Sequence, residues 1–362
     1  MTGSSPDSRW ASPGFFLARV LGRPTVDPRW YRASIDAHAI AEVARGAAAA
    51  RRGASSRPPT RCAILLGPTP RSGTNFVEAL IAAHPLVAAA PLGLRELPVL
   101  SEAHRLKDFS QALAVRHASN AILGPADWLA LALAGLLQRA TAETPGAEIV
   151  LLKDPHTRRL DLLRAVLPDA TPVVVLRDGT RTIDSAVATW PARGLSRWLG
   201  RSFADHCRDW ALATEAALDF ARNVPEALVL RYEDAAAAPS AMAVRLWIAL
   251  GLEVDAEAER AAAVVPVLGS STHSRGSTGV DWTPRERPEG FDPAARQVRW
   301  SERRRRIFLR EAGAVQARLD EEHPVTLDTS RGDDAERHGA VRLAALQPKE
   351  RPQRIATEKQ QS

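Results

Sequence analysis

The run Leu65-Leu66-Gly67-Pro68-Thr69-Pro70-Arg71-Ser72-Gly73-Thr74-Asn75 decides how this chain is read. An apolar stretch, Cys62 to Leu66, leads into it. Phe76, Val77, Leu80 and Ile81 follow at helical spacing, with Pro85 as the stop. Strand, small-residue turn and helix N-terminus together make an anion site, because the first amides of a helix have no partner inside it and point into the loop. Gly73 lets the main chain approach a ligand closely, Thr74 offers a hydroxyl, and Arg71 brings a permanent charge on a forked donor set. The run is not a Walker loop. That motif needs a Lys after its second Gly, where Thr74 stands, and its glycines lie one residue closer together than Gly67 and Gly73. Taken alone, the run fits an anion cradle and an ordinary turn equally well.

Composition narrows the class of protein. A chain of 362 residues with 45% hydrophobic and 25% charged residues can bury a sizeable core, as one large domain or two. The net charge of +6 is a small excess for this length, so it does not by itself indicate a nucleic-acid binder. Only Lys107, Lys153, Lys349 and Lys359 are lysines among 48 basic residues, and this bias toward arginine makes Lys153 mildly informative. Cys62 and Cys207 form neither a disulfide framework nor a zinc spacing and read as small buried hydrophobes. Met1 to Asp7 lacks the basic-then-apolar pattern of a secretory signal, and the longest apolar run, Trp128 to Leu137, is too short to span a membrane. The expected compartment is the cytoplasm.

Along the chain, residues 1–57 read as a partly helical N-terminal extension, residues 58–330 as the main domain and residues 331–362 as a disordered tail. Within the main domain, Ile149 to Leu152, Pro172 to Leu176 and Leu228 to Leu230 read as further strands. Helical patterns stand between them, at Ser101 to Arg139, Leu160 to Val166, Ser202 to Arg222 and Pro239 to Leu250. Strands alternating with helices predict an α/β fold with a mainly parallel central sheet flanked by helices. Ligands of such sheets bind beyond the C-terminal ends of the strands. Polar sets stand at three of those ends: Arg71 to Asn75, Lys153 to His156, and Arg177 with Ser185.

In this order, the three sets resemble the sulfotransferases that use 3'-phosphoadenosine 5'-phosphosulfate (PAPS). Pro70-Arg71-Ser72-Gly73-Thr74-Asn75 is similar to that family's loop for the 5'-phosphosulfate, and Arg177 with Ser185, eight residues on, has the spacing of its 3'-phosphate motif. Lys153-Asp154-Pro155 and the run Arg177 to Ser185 look most like the tyrosylprotein sulfotransferases and related bacterial enzymes, as does Arg231-Tyr232-Glu233-Asp234. The resemblance spans roughly Cys62 to Asp320. It implies a three-layer fold like that of P-loop NTPases, PAPS as donor, a hydroxyl-bearing acceptor and no metal. It further implies that Arg71, Ser72, Gly73, Thr74 and Asn75 hold the phosphosulfate and that Arg177 and Ser185 hold the 3'-phosphate. Arg71 and Lys153 would then stabilise the sulfuryl group in transit.

A hydroxyl acceptor needs a general base, and two residues compete. Glu96 lies where the tyrosylprotein and heparan branches place a catalytic Glu, and His156 follows Lys153 at nearly the spacing of a catalytic His in the cytosolic branch. Glu96 is slightly favoured. His84 reads as a helix-end residue. The loop Ser270 to Thr278, with Ser274 and Arg275, suits a lid over the 3'-phosphate or adenosine, while Trp282 and Trp300 read as packed aromatics and Arg303 to Arg306 as a solvated helix face. Rival readings are a P-loop kinase or NTPase, which the missing Walker Lys opposes, and a non-enzymatic polyanion-binding protein. No nucleic-acid partner or membrane span is expected, and the sequence leaves the oligomeric state open.

Overall fold

The structure is a computed structural model that describes residues 61–97, 100, 103–116, 125–189, 201–268, 286 and 298–326. Five parallel strands form one sheet: β1 (Arg61–Leu66), β2 (Val87–Ala89), β3 (Ile149–Asp154), β4 (Thr171–Leu176) and β5 (Leu228–Arg231), in spatial order β2-β3-β1-β4-β5. The helices are α1 (Thr74–Ala82), α2 (Ala103–Arg116), α3 (Pro125–Glu143), α4 (Leu160–Val166), α5 (Gly179–Thr189), α6 (Phe203–Asn223), α7 (Tyr232–Ala237), α8 (Pro239–Ala249), α9 (Ala256–Ala263) and α10 (Glu302–Glu322).

Apolar runs without alternation imply a sheet covered on both faces, and the packing bears this out. Ile64, Leu66, Leu152 and Val174 pack against side chains of α3, α4, α6 and α10, while Leu65, Leu151, Val173 and Val175 pack against α1, α8 and α9 on the other face. This is a three-layer α/β arrangement. The chain leaves β1 through α1 to β2, returns to β3 beside β1, and then crosses to β4 on the far side of β1. The strand order reverses around β1, so the loops after β1, β3 and β4 open into one crevice. Register keeps these ends level, with Leu66 opposite both Asp154 and Val174.

Two sequence expectations need adjusting. The mixed segment after Pro85 contains an edge strand, β2, whose three residues are too few to show a period. Strand β3 runs through Asp154, so Lys153 and Asp154 lie within the sheet instead of following it. Their side chains therefore point to opposite faces. Lys153 shares the α1 face with Leu151, and Asp154 shares the other with Leu152.

Helix α6 begins with a reciprocal cap between Ser202 and Asp205 and buries Trp210, Ala213 and Ala217. Helix α10 lies along it. Phe308, Ala312 and Leu319 are buried between the two, and Arg208–Glu311, Arg222–Glu322 and Asp219–Arg318 pair along the rim. The run Arg303 to Arg306 is exposed, as its sequence suggests. Trp300 is packed against Phe203 and Phe308 and donates to Asp184 at 3.1 Å. Burial pushes the Cys207 thiol up to about 12, so it behaves as a small apolar side chain. No helix among the described residues is long and apolar enough to cross a membrane. The extension 1–57, the tail 331–362, Trp282 and the loop carrying Ser274 and Arg275 lie outside the described residues.

Gly179, the first residue of α5, sits against Trp210. A Cβ there would stand 2.7 Å from the indole ring, which is itself 2% exposed. Gly179→Ala should therefore lower stability by about 1–3 kcal/mol through overpacking. Chemical denaturation would read this as a lower midpoint at an unchanged slope, and a wild-type midpoint would show that the ring can yield.

Candidate active site

The loop after β1 turns on two residues with left-handed backbone, Arg71 (φ 86°) and Gly73 (φ 100°). Gly73 is required twice over, by its φ and by space, because a Cβ would lie 2.1 Å from the ring of Tyr232. A bulky residue at positive φ is held there only if its surroundings over-determine it. For Arg71 they do: its carbonyl accepts from an Arg177 guanidinium N–H at 2.8 Å, and its own Nε donates to Ser185 Oγ at 3.0 Å. The Ser72 hydroxyl donates to the Thr69 carbonyl at 2.7 Å and so holds the curve of the loop. Gly73 is the N-cap of α1 without a side-chain cap, leaving the opening amides of the helix to face the crevice.

Across β1 from this loop, Arg177 leaves the end of β4 and stacks on Tyr232, 4.2 Å from the ring centroid. Asp178 caps the start of α5, accepting from the Arg181 amide at 2.9 Å, and so fixes the helix that carries the buried Ser185. Arg71, Arg177 and Ser185 are thus brought together. On the other side of β1, Lys153 is 5% exposed and donates to Asn75 Oδ1 at 2.9 Å and to the Glu78 carboxylate. The Leu97 amide donates to the Lys153 carbonyl at 2.7 Å, which pins Glu96 beside this lysine. Burial raises the Glu96 carboxyl above its usual range, with Lys153 and His156 acting in the opposite direction. His156, partly exposed, has its Nδ1 3.4 Å from Asp154 Oδ1, and that same oxygen accepts from the His156 amide at 3.2 Å. Asp154 is fully buried, and this burial raises its carboxyl too.

One crevice therefore gathers the cations Arg71, Lys153 and Arg177, a helix N-terminus and two candidate bases. The family model described as the sulfotransferase family matches residues 64–256, more than half of the 362-residue chain. The chain belongs to the sulfotransferase family. A search of the curated proteins returns no match. Among solved structures this sulfotransferase is similar to STF1 from Mycobacterium tuberculosis H37Rv, at 17% identity over 72% of this chain and 93% of that one, with a TM-score of 0.38. It is also similar to STF9 from Mycobacterium avium (18% identity, 71% and 79% coverage, TM-score 0.38). The sulfotransferase domain from the curacin biosynthetic pathway matches at 19% identity over 56% of this chain and 77% of that one, with a TM-score of 0.37.

Two residues of the sulfotransferase crevice escaped the sequence reading. Glu78 is the one acid in α1, three residues after Asn75, and that spacing places both on one helix face; this signal was available. Tyr232 drew notice only as part of a strand-end run, and nothing local to it foretells that its ring supports Gly73. His84 sits at the end of α1, accepts from the Leu86 amide and contacts the Glu253 carbonyl at 2.9 Å, in keeping with a helix-end role. Among the described residues, no group of three or more His, Cys, Asp or Glu side chains is arranged to hold a metal.

The raised Glu96 carboxyl has a readable sign. Between its ordinary value of 4.5 and its higher folded value, the native protein holds a proton that the unfolded chain has released. Stability therefore falls as pH rises through that window and stays reduced above it. Glu96→Gln should melt higher than wild type near pH 7.5, and the difference should vanish near pH 4. A difference independent of pH would rule out burial as its origin.

Proposed function

We propose that this sulfotransferase moves a sulfuryl group from PAPS to an acceptor hydroxyl by in-line displacement. The observation that carries the reading is the meeting of two motifs far apart in sequence, through Arg71 Nε on Ser185 Oγ and Arg177 on the Arg71 carbonyl. The donor set suits a ligand with two anionic ends. The opening amides of α1 with Thr74, Asn75 and Lys153 serve the phosphosulfate. Arg177 and Ser185 serve the 3'-phosphate, and Arg71 lies between the two groups. Ser72 contributes chiefly by shaping the loop.

In the transfer, the acceptor oxygen bonds to sulfur and the bond from sulfur to the 5'-phosphate oxygen breaks. PAP leaves, and the acceptor proton passes to the base. Lys153 and the α1 amides hold donors where negative charge grows on the oxygens around sulfur. A sulfuryl group carries less charge than a phosphoryl group, so positioned cations suffice in this reading. For the base we favour Glu96, because burial strengthens its hold on a proton, which suits a base working near neutral pH. His156, steadied by Asp154, is the alternative. Acceptors that fit the chemistry are hydroxyls of protein tyrosine, carbohydrate, lipid or a small molecule.

Thermal unfolding with PAP, with ATP–magnesium and with DNA separates this reading from its rivals. PAP at about a hundredfold excess over its dissociation constant should stabilise the fold by about 2.7 kcal/mol, and the other two should leave Tm unchanged. A shift with ATP–magnesium and none with PAP would sink the assignment. Arg177→Ala and Ser185→Ala should each weaken PAP binding, by about 1.5–3 kcal/mol for the charged contact. Calorimetric titration checks this, and unchanged affinity would remove them from the site.

A further inference from the structure

The only acid of α1 faces the only described lysine of the sheet. Lys153 projects from β3 toward α1 and gives two of its three N–H donors to Asn75 Oδ1, at 2.9 Å, and to Glu78 Oε2. Asn75 and Glu78 lie three residues apart, so they grip the ammonium from one face of one helix turn. The other carboxylate oxygen, Glu78 Oε1, is buried with no hydrogen-bond partner among the described residues. Around this group the helix buries Thr74, Phe76, Val77, Leu80 and Ile81. A carboxylate set among such neighbours calls for a reason beyond packing.

We infer that Asn75 and Glu78 form a two-point cradle that fixes the Lys153 ammonium, leaving its third N–H for the transferring group. Glu78 is then a positioning residue for the transfer step. The role of that third N–H rests on the function proposed above; the cradle itself does not. Lysine is a compact charge on a flexible four-carbon stem, and by itself it would have to be ordered during the reaction. With two donors anchored, the tetrahedral geometry of the ammonium sets the direction of the third beforehand, and preorganised donors are those that lower a barrier. The sign of the electrostatics supports this. A carboxylate beside the loop repels an anionic donor, so Glu78 does not serve to tighten ground-state binding. It should act on kcat and not on KM.

Two measurements test this. First, the hydrolysis of PAPS to PAP and sulfate, with water in the acceptor's place, gives kcat and KM without a known acceptor. Glu78→Ala should lower kcat at least about tenfold, with KM for PAPS unchanged or reduced, and Glu78→Gln, which restores an acceptor atom, should recover most of the loss. An unaltered kcat, or a loss carried by a rise in KM, overturns the proposal. If Glu78→Ala does not fold, Glu78→Gln must itself show a fall in kcat of about threefold at unchanged KM, and no fall overturns it. Second, the chain has only four lysines, so selective 15N-lysine labelling gives a simple ammonium spectrum. One slowly exchanging signal should disappear in Lys153→Met and in Glu78→Ala and survive in Glu78→Gln. A Lys153 signal indifferent to Glu78→Ala overturns the cradle. This second measurement needs no donor, so a failure of PAP to bind would sink the function and leave the cradle to be judged separately.

Discussion

The ring of Tyr232 is the support on which the loop after β1 depends. It is 5% exposed, meets Phe76 of α1 edge-on at 6.1 Å, carries the Arg177 guanidinium at 4.2 Å and lies directly under Gly73. Three separate elements thus rest on one rigid aromatic side chain: the turn after β1, the helix that follows it and the residue that follows β4. A turn with two residues in left-handed backbone is not stable by local preference. It persists because Tyr232 leaves room only for glycine and because Arg177, stacked on the same ring, reaches the Arg71 carbonyl. The packing on one face of the sheet and the geometry of the crevice are therefore a single constraint.

Much of this architecture was legible in the sequence, because it rests on signals that are local. Continuous β-branched and leucine runs marked β1, β3, β4 and β5, and helical spacing after Gly73 marked α1. The coincidence of polar sets at three strand ends indicated a crevice before any contact was visible. What stayed hidden depends on which side chains meet across the fold. Strand β2 has three residues and owes its strand geometry to pairing with β3. The extension of β3 through Asp154 was hidden because a lysine and an aspartate look like a loop, while parallel pairing with Leu65 and Leu66 keeps them in the sheet. That Arg71 would bond to Ser185 could not be read from either motif, since it follows from the positive φ of Arg71 and from where α5 lies. Glu78 was overlooked for another reason: an acid on an apolar helix reads as a solvent-facing residue until its lysine is known.

The alternation of β3 also divides the charge in the crevice. Lys153 on the α1 face joins Asn75 and Glu78, while Asp154 on the opposite face joins His156. The sheet stands between a cationic donor and a buried carboxylate that would otherwise pair with each other, since they are neighbours in sequence. Lys153 is held instead by Asn75 and Glu78 of α1, and Asp154 by His156 of the loop that follows β3.

The seam between α6 and α10 bears on how this fold is delimited. Residues 64–256 carry the family's signature, yet α10 lies entirely beyond them. From there Gln316 accepts the amide of Gly179 at 2.8 Å, Asp320 and the His323 carbonyl accept from Arg231, and Phe308 shields Trp210. The signature therefore ends inside the packed fold, which goes on to include a helix the signature does not reach. Cutting the chain at the end of the recognisable region would leave an apolar strip bare along α6 and the first turn of α5 without its acceptor. Recognition by sequence and packing in the fold have different boundaries in this protein.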